Sequence, residues 1–204
     1  MEQREINDLL LSWVTLSFAF AWNFNSLSVG DLFAFMTNFT VMLLAVGAGF
    51  ILHELAHKYV AIHYGCHAEF VAWQNGLLLA LGLAIFTNGA FVFAAPGAVY
   101  IFGNKISTKE NGIISLAGPA TNIGVALMLL AASAFLGLPA ILGMVAAGII
   151  SINLFLAVFN LIPVPPLDGS KVFMWNKGIW LATMAAAAGG LYFLPAIRQA
   201  VGLP

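Results

Sequence analysis

The sequence predicts an all-α polytopic membrane protein, with about five transmembrane helices and a re-entrant segment read as a β-hairpin. Three observations carry this prediction. First, the 204 residues are 62% hydrophobic and 7% charged, with mean hydropathy +0.99. Seven basic and eight acidic side chains cannot solvate the surface of a soluble globule of this length. Disorder requires low hydrophobicity, so it is excluded as well. Second, apolar runs of spanning length recur along the chain. Third, the few basic residues are distributed unevenly between the connections. The apolar composition is uniform, so residues 1–204 read as one membrane domain. The net charge is −1 with no basic patch, which excludes nucleic acid as an expected partner. One cysteine, Cys66, excludes an intrachain disulfide.

The first eight residues are polar and mixed in charge, unlike a secretory leader, and no small-residue cleavage site follows. Residues 9–24 therefore read as a retained first helix, and Asn25–Asp31 as a turn. Residues 33–62 form a helix longer than the bilayer core, which must tilt or protrude. The more polar stretch 63–75 ends it. Residues 76–102 are apolar but interrupted at Thr87-Asn88-Gly89, and Asn-Gly is the strongest short hairpin signal. Each resulting arm is too short to cross as a helix. The second arm is rich in Phe and Val, so strands or a re-entrant hairpin are expected, packed on helices or lining a cavity. Lys105–Asn111 reads as a polar loop, 112–136 as a helix and Gly137–Pro139 as a tight turn. Residues 140–161 form the next helix, ended by Pro163, Pro165 and Pro166; 176–194 form the last, stopped near Pro195.

If the N-terminus is cytoplasmic and the hairpin does not change sides, Arg4, Lys58, Lys105, Lys109, Lys171 and Lys177 all fall on the cytoplasmic side. Only Arg198 falls outside. This bias supports the re-entrant reading and a multi-pass protein of the cell membrane.

Ionisable groups inside spans are functional candidates by default. The second helix carries His53-Glu54-Leu55-Ala56-His57. Histidines at i and i+4 stack on one face of a helix, so both imidazoles reach one metal ion. Glu54 stands beside them, placed to take a proton from an attacking water. Zinc needs a third protein ligand, and two candidates remain. His63 has metzincin-like spacing, but the β-branched Val60 stands where a helix-breaking glycine is needed. Asp168 lies in the proline-rich stretch Asn160–Gly169, on the same side as the histidine pair in the topology above. Cys66 with His63 and His67 offers a further, weaker metal constellation.

The residues at this point resemble the site-2 protease family of intramembrane zinc metalloproteases. His53-Glu54-Leu55-Ala56-His57 resembles its first motif. Asn160, Pro163, Pro165 and Pro166-Leu167-Asp168-Gly169 resemble its second, and Gly118-Pro119-Ala120-Thr121-Asn122 a third. The resemblance covers about residues 33–170. It implies a catalytic core in which His53, His57 and Asp168 hold one Zn2+ per chain, with Glu54 as general base. It implies that Asn160 lies near the site as a substrate or oxyanion contact; a helix cap is the alternative. Asn122 is either a second such contact or an interhelical hydrogen-bonding residue. Gly118-Pro119 marks close packing or a kink. No segment is polar and long enough for the PDZ or CBS domain of many relatives, so a compact member is expected.

The expected function is hydrolysis of peptide bonds within transmembrane segments of membrane-tethered protein substrates, on the side of the lipid bilayer nearer the cytoplasm. The alternative is a membrane metal-binding or transport protein without protease activity. A prenyl-protein type of membrane protease would need a downstream Glu ligand, and only Glu69 and Glu110 are available.

Overall fold

The structure, a computed structural model, describes residues 1–24, 32–102 and 106–204. The turn expected at Asn25–Asp31 and the loop residues 103–105 lie outside the described residues. In chain order the elements are α1 (Gln3–Phe24), α2 (Leu32–Val46), a π-helical turn (Gly47–Ile51), α3 (Leu52–His63), β1 (His67–Ala72), α4 (Gln74–Phe86) and β2 (Gly97–Phe102). They continue as α5 (Thr108–Leu136), α6 (Ala140–Asn160), α7 (Asp168–Trp175) and α8 (Lys177–Ala200).

Among the described residues, four helical stretches are long and apolar enough to cross a membrane. They are the continuous run Leu32–His63, then α5, α6 and α8. The expected helix at 9–24 is present as α1 and begins earlier. It is not among those four, because Asn7, Asp8, Ser12, Ser17 and Asn23 interrupt its apolar run.

The first arm of the expected β-hairpin is instead the helix α4. Its Leu- and Ala-rich sequence favours helix over strand. Asn88-Gly89 adopts positive φ, as a hairpin turn would require, but serves as a helix stop. The Gly89 N–H donates to Ala84 O at 2.7 Å and the Asn88 N–H to Ile85 O at 3.2 Å. These are the two bonds of a Schellman ending. The second arm does carry a strand, β2, but its partner is β1, a segment expected only to end a helix. The two pair antiparallel, from His67 opposite Phe102 to Ala72 opposite Gly97.

Further boundaries differ, including the start of α5 at Thr108 within the expected loop. α8 runs through Pro195 rather than stopping there, since neighbouring groups can re-satisfy a freed carbonyl in an apolar bundle. The prolines at 163–166 end α6 as expected, but Asp168 then opens the short helix α7. α5 begins at a capping box, in which Ser107 Oγ accepts from the Glu110 N–H and Glu110 Oε2 accepts from the Ser107 N–H. Glu110 is thereby a cap, far from any ligand role.

The core places α3 against α5, and α5 against α6 and α7. The α1–α2–α6 side is filled by Leu16, Phe20, Val46, Phe50 and Leu156, with Phe70 of β1 inserted edge-on against Phe50. One ion pair sits inside this packing. Glu5 of α1 is 1% exposed, and Lys58 Nζ of α3 lies 2.5 Å from both its carboxylate oxygens. Removing one partner of such a pair leaves a buried charge uncompensated, at a cost of about 3–5 kcal/mol. Glu5→Ala is therefore expected to destabilise the detergent-solubilised protein by roughly that amount in denaturant unfolding. The double variant Glu5→Ala/Lys58→Met should recover part of the loss, since the Phe70 N–H that donates to Glu5 stays without its acceptor.

Candidate metal centre

α3 directs His53 and His57 to one face, and α7 directs Asp168 at them from the opposite side. Asp168 Oδ2 lies 3.3 Å from His53 Nε2 and 3.0 Å from His57 Nε2, and the two Nε2 atoms are 3.0 Å apart. Both histidines are buried. Among the described residues this is the one group of His, Cys, Asp and Glu side chains close enough to share a metal ion.

The outer ring nitrogens fix the chemistry of the inner ones. His53 Nδ1 is 2.6 Å from Asn122 Oδ1, and His57 Nδ1 is 2.7 Å from the carbonyl oxygen of Ile114. Both neighbours can only accept, so each Nδ1 carries the proton and donates it. Each Nε2 then turns a lone pair inward. Two lone pairs and a carboxylate oxygen converging on one point repel each other unless a cation lies between them. Tetrahedral coordination with Zn–N and Zn–O distances of about 2.0–2.2 Å places ligand atoms about 3.3–3.6 Å apart. The observed separations of 3.0–3.3 Å lie at and just below the short end of that range, so a small outward shift of the ligands admits zinc.

The Asn122 assignment follows from its other contacts. Its Nδ2 donates to Gly49 O and to Asn153 Oδ1, both at 2.9 Å, and Asn153 Nδ2 donates to Ile149 O at 2.8 Å. Gly49 belongs to the π-turn, where the widened backbone ladder offers a carbonyl to a side chain. Asn122 is fully buried and all its polar atoms are occupied. Of its two expected roles these contacts are those of an interhelical hydrogen-bonding residue, which orients His53 from behind. Asn160 is different. It lines the cavity in front of the histidines, and its Nδ2 donates to Leu156 O at 3.0 Å. An amide nitrogen carries two hydrogens, so one donor remains for a ligand.

Two close approaches explain the glycines of the motifs. A Cβ at Gly118 would collide with the Nε2 atoms of both histidines, so only glycine lets α5 pass this near. Pro119, one residue on, lacks an N–H, so the carbonyl of Ser115, next to Ile114, loses its helical donor. At Gly169 a Cβ would strike the Leu161 carbonyl, where the chain doubles back to present Asp168. The Leu161 carbonyl oxygen is itself held by Trp180 Nε1 of α8 at 2.8 Å.

Glu54 is buried and faces the same cavity, beside Ser115, Asn160 and Lys171. Lys171 Nζ stands 3.5 Å from Asp168 Oδ1, with its side chain 40% exposed. Neither Lys171 nor Asn153 was legible as a site residue beforehand. Asn153 carried a signal nonetheless, as a lone amide in the middle of an apolar span. His63 is not brought to the centre: it ends α3, exposed, against the Tyr64 ring. Cys66 packs with Ala61, Ala68 and Ile114, and His67 lies exposed on β1, so no second cluster forms among the described residues.

A helical membrane protein with a buried His-His-Asp cluster and an adjacent glutamate defines the metallohydrolase class of site. Comparison with known proteins agrees. The chain is 42% identical over 178 residues to "Putative zinc metalloprotease MJ0611" of Methanocaldococcus jannaschii, covering 87% of each chain. It is 32% identical over 164 residues to "Putative zinc metalloprotease Rip2" of Mycobacterium tuberculosis, covering 70% of this chain and 63% of the relative. It is 29% identical over 149 residues to "Putative zinc metalloprotease YwhC" of Bacillus subtilis, covering 64% of this chain and 66% of the relative. The chain belongs to this zinc metalloprotease family. No protein-family model and no solved structure matches it.

Loss of an orienting partner behind a metal-bound histidine typically costs about 10–100-fold in metal affinity. Asn122→Ala is expected to weaken zinc binding by that order in chelator competition. Gly118→Ala, which pushes directly on both imidazoles, is expected to weaken it at least as much.

Proposed function

We propose that this protein is an intramembrane zinc protease of the site-2 type, cleaving peptide bonds within transmembrane segments of membrane-tethered substrates. The observation that carries the reading is the placement of the metal centre. Two Nε2 lone pairs and a carboxylate meet, with Glu54 beside them, in the last third of an apolar helical run 32 residues long. His53, His57 and Asp168 hold one zinc ion, which when bound supplies Lewis-acid polarisation of water and of the scissile carbonyl. Glu54 takes the proton from the attacking water and returns it to the leaving amine. The remaining Asn160 amide hydrogen would donate to the oxygen on which charge develops. The chain is multi-pass in the cell membrane, with its N-terminus cytoplasmic and its site nearer that side.

A substrate helix must unwind before its carbonyls can be attacked, and an extended stretch needs backbone partners. β2 offers them. The Trp73 N–H donates to Pro96 O at 2.7 Å, which sets the alternation of the ladder. By that alternation the backbone groups of Gly97, Val99 and Ile101 point away from β1. These three residues line the cavity that holds Glu54 and the metal ligands. The substrate adds as a strand along this edge.

Elemental analysis and cleavage of a generic single-span substrate in detergent test the reading together. One zinc per chain is expected, lost or loosened in Asp168→Ala and retained in His63→Ala. Glu54→Gln is expected to keep zinc and to lose about 10²–10⁴-fold in cleavage rate. Full zinc with no cleavage by the parent chain would instead indicate a metal-binding membrane protein. Val99→Pro removes a cavity-side donor without breaking a ladder bond, a position where an edge strand tolerates proline. It is expected to reduce cleavage while bound zinc is unchanged.

A further inference from the structure

A two-stranded sheet has two edges, and each presents unpaired N–H and C=O groups to any extended chain. The two edges of this sheet are treated differently. On β2 the outward groups face the cavity. On β1 the alternation that turns the groups of Gly97, Val99 and Ile101 outward also turns out the N–H groups of Ala72, Phe70 and Ala68. Those of Phe70 and Ala72 are already taken. Glu5 Oε1 accepts from the Phe70 N–H at 3.2 Å, and Asp8 Oδ2 accepts from the Ala72 N–H at 3.0 Å. A spacing of three puts the two carboxylates on one face of α1, and a spacing of two puts both N–H groups on one edge of β1.

Carboxylates accept but cannot donate, so they satisfy these donors without continuing the sheet. Their bonds to backbone N–H groups are charge-assisted and stronger than those a competing peptide carbonyl could form. Glu5 also pairs with Lys58, the residue after His57. The same carboxylate therefore joins the strand to the helix that carries the histidines. The sheet is held at two points along β1, and one of them is fixed relative to the metal centre.

We propose that Glu5 and Asp8 are positioning residues: their carboxylates close the outer edge of β1 and fix the register of the sheet over the metal centre. Strand addition is thereby confined to β2, and one substrate bond is presented to Glu54. This inference rests on the docking edge described under Proposed function. It assigns the polar start of α1 a role in choosing the bond that is cut.

The test compares the parent chain with Asp8→Ala, Asp8→Asn and Val99→Pro in detergent micelles. The probe is one single-span transmembrane peptide, followed by initial rates and by mass spectrometry of the products. Asp8→Ala removes the acceptor, whereas Asp8→Asn retains a carbonyl that accepts from the Ala72 N–H. Asp8→Ala is expected to raise KM about tenfold, the order for losing a hydrogen bond to a charged group. It should leave kcat within about twofold and bound zinc unchanged. Cleavage should spread from one major bond to bonds two residues away, since a strand slips in steps of two when its faces are kept. Asp8→Asn is expected to restore both KM and the single cut.

A parallel loss of kcat and zinc in Asp8→Ala, or failure of Asp8→Asn to rescue, overturns the inference. So does an unchanged KM and cut site in Asp8→Ala. If Val99→Pro raises KM in that last case, only the role of α1 falls. If Val99→Pro also has no effect, the docking edge falls with it. A parent chain that does not cleave the peptide overturns the protease reading and this inference together.

Discussion

Two imidazole lone pairs and a carboxylate oxygen meet at separations of 3.0–3.3 Å inside a protein whose interior is mostly apolar. Such a cluster is electrostatically unfavourable alone, and the surrounding elements are arranged around it. Its neighbours determine which atoms of the rings face inward. Ile114 O and Asn122 Oδ1 each take an Nδ1 proton, so that the electron pairs are left where a cation can use them. Gly118 keeps α5 slim enough to approach, and the doubled-back chain at Leu161–Gly169 brings a carboxylate from a different part of the sequence.

The orienting partners form a chain rather than a pair. Asn122 draws on the carbonyl of the π-turn and on Asn153, and Asn153 draws on its own helix at Ile149. Three spans are thus joined by amide hydrogen bonds behind His53. Polar groups buried in an apolar bundle must be fully satisfied, and here that requirement coincides with what a metal-binding histidine needs. The sheet obeys the same rule from the other side. Its β1 edge is closed by α1 carboxylates, and its β2 edge opens on the cavity.

The places where the sequence misleads share a cause. Asn88-Gly89 supplies positive φ, and that local property serves a helix stop as well as a hairpin turn. Which of the two forms depends on whether a strand lies within reach. The partner of β2 turned out to be β1, across an intervening helix, and pairing at that separation leaves no local signature. Pro195 likewise reads as a helix end, because chain-local reasoning does not see the packing that tolerates it. α1 reads as a span by length, but its polar residues have partners that appear only once β1 and α3 are placed beside it.

The sequence alone determined the class of protein, because composition and run length decide whether a chain can be soluble at all. It also determined the histidine pair and its glutamate, because i, i+4 spacing on a helix fixes their geometry without help from the rest of the fold. It could name both Asp168 and His63 as third-ligand candidates, but ligands from separate segments meet only when those segments pack. The tertiary structure decided that α7 delivers Asp168 to the histidines and leaves His63 exposed. It decided as well that Asn122 stands behind a ring rather than before a substrate. Both outcomes depend on contacts between residues far apart in the chain, and such contacts are set by how the helices pack, which no local pattern encodes.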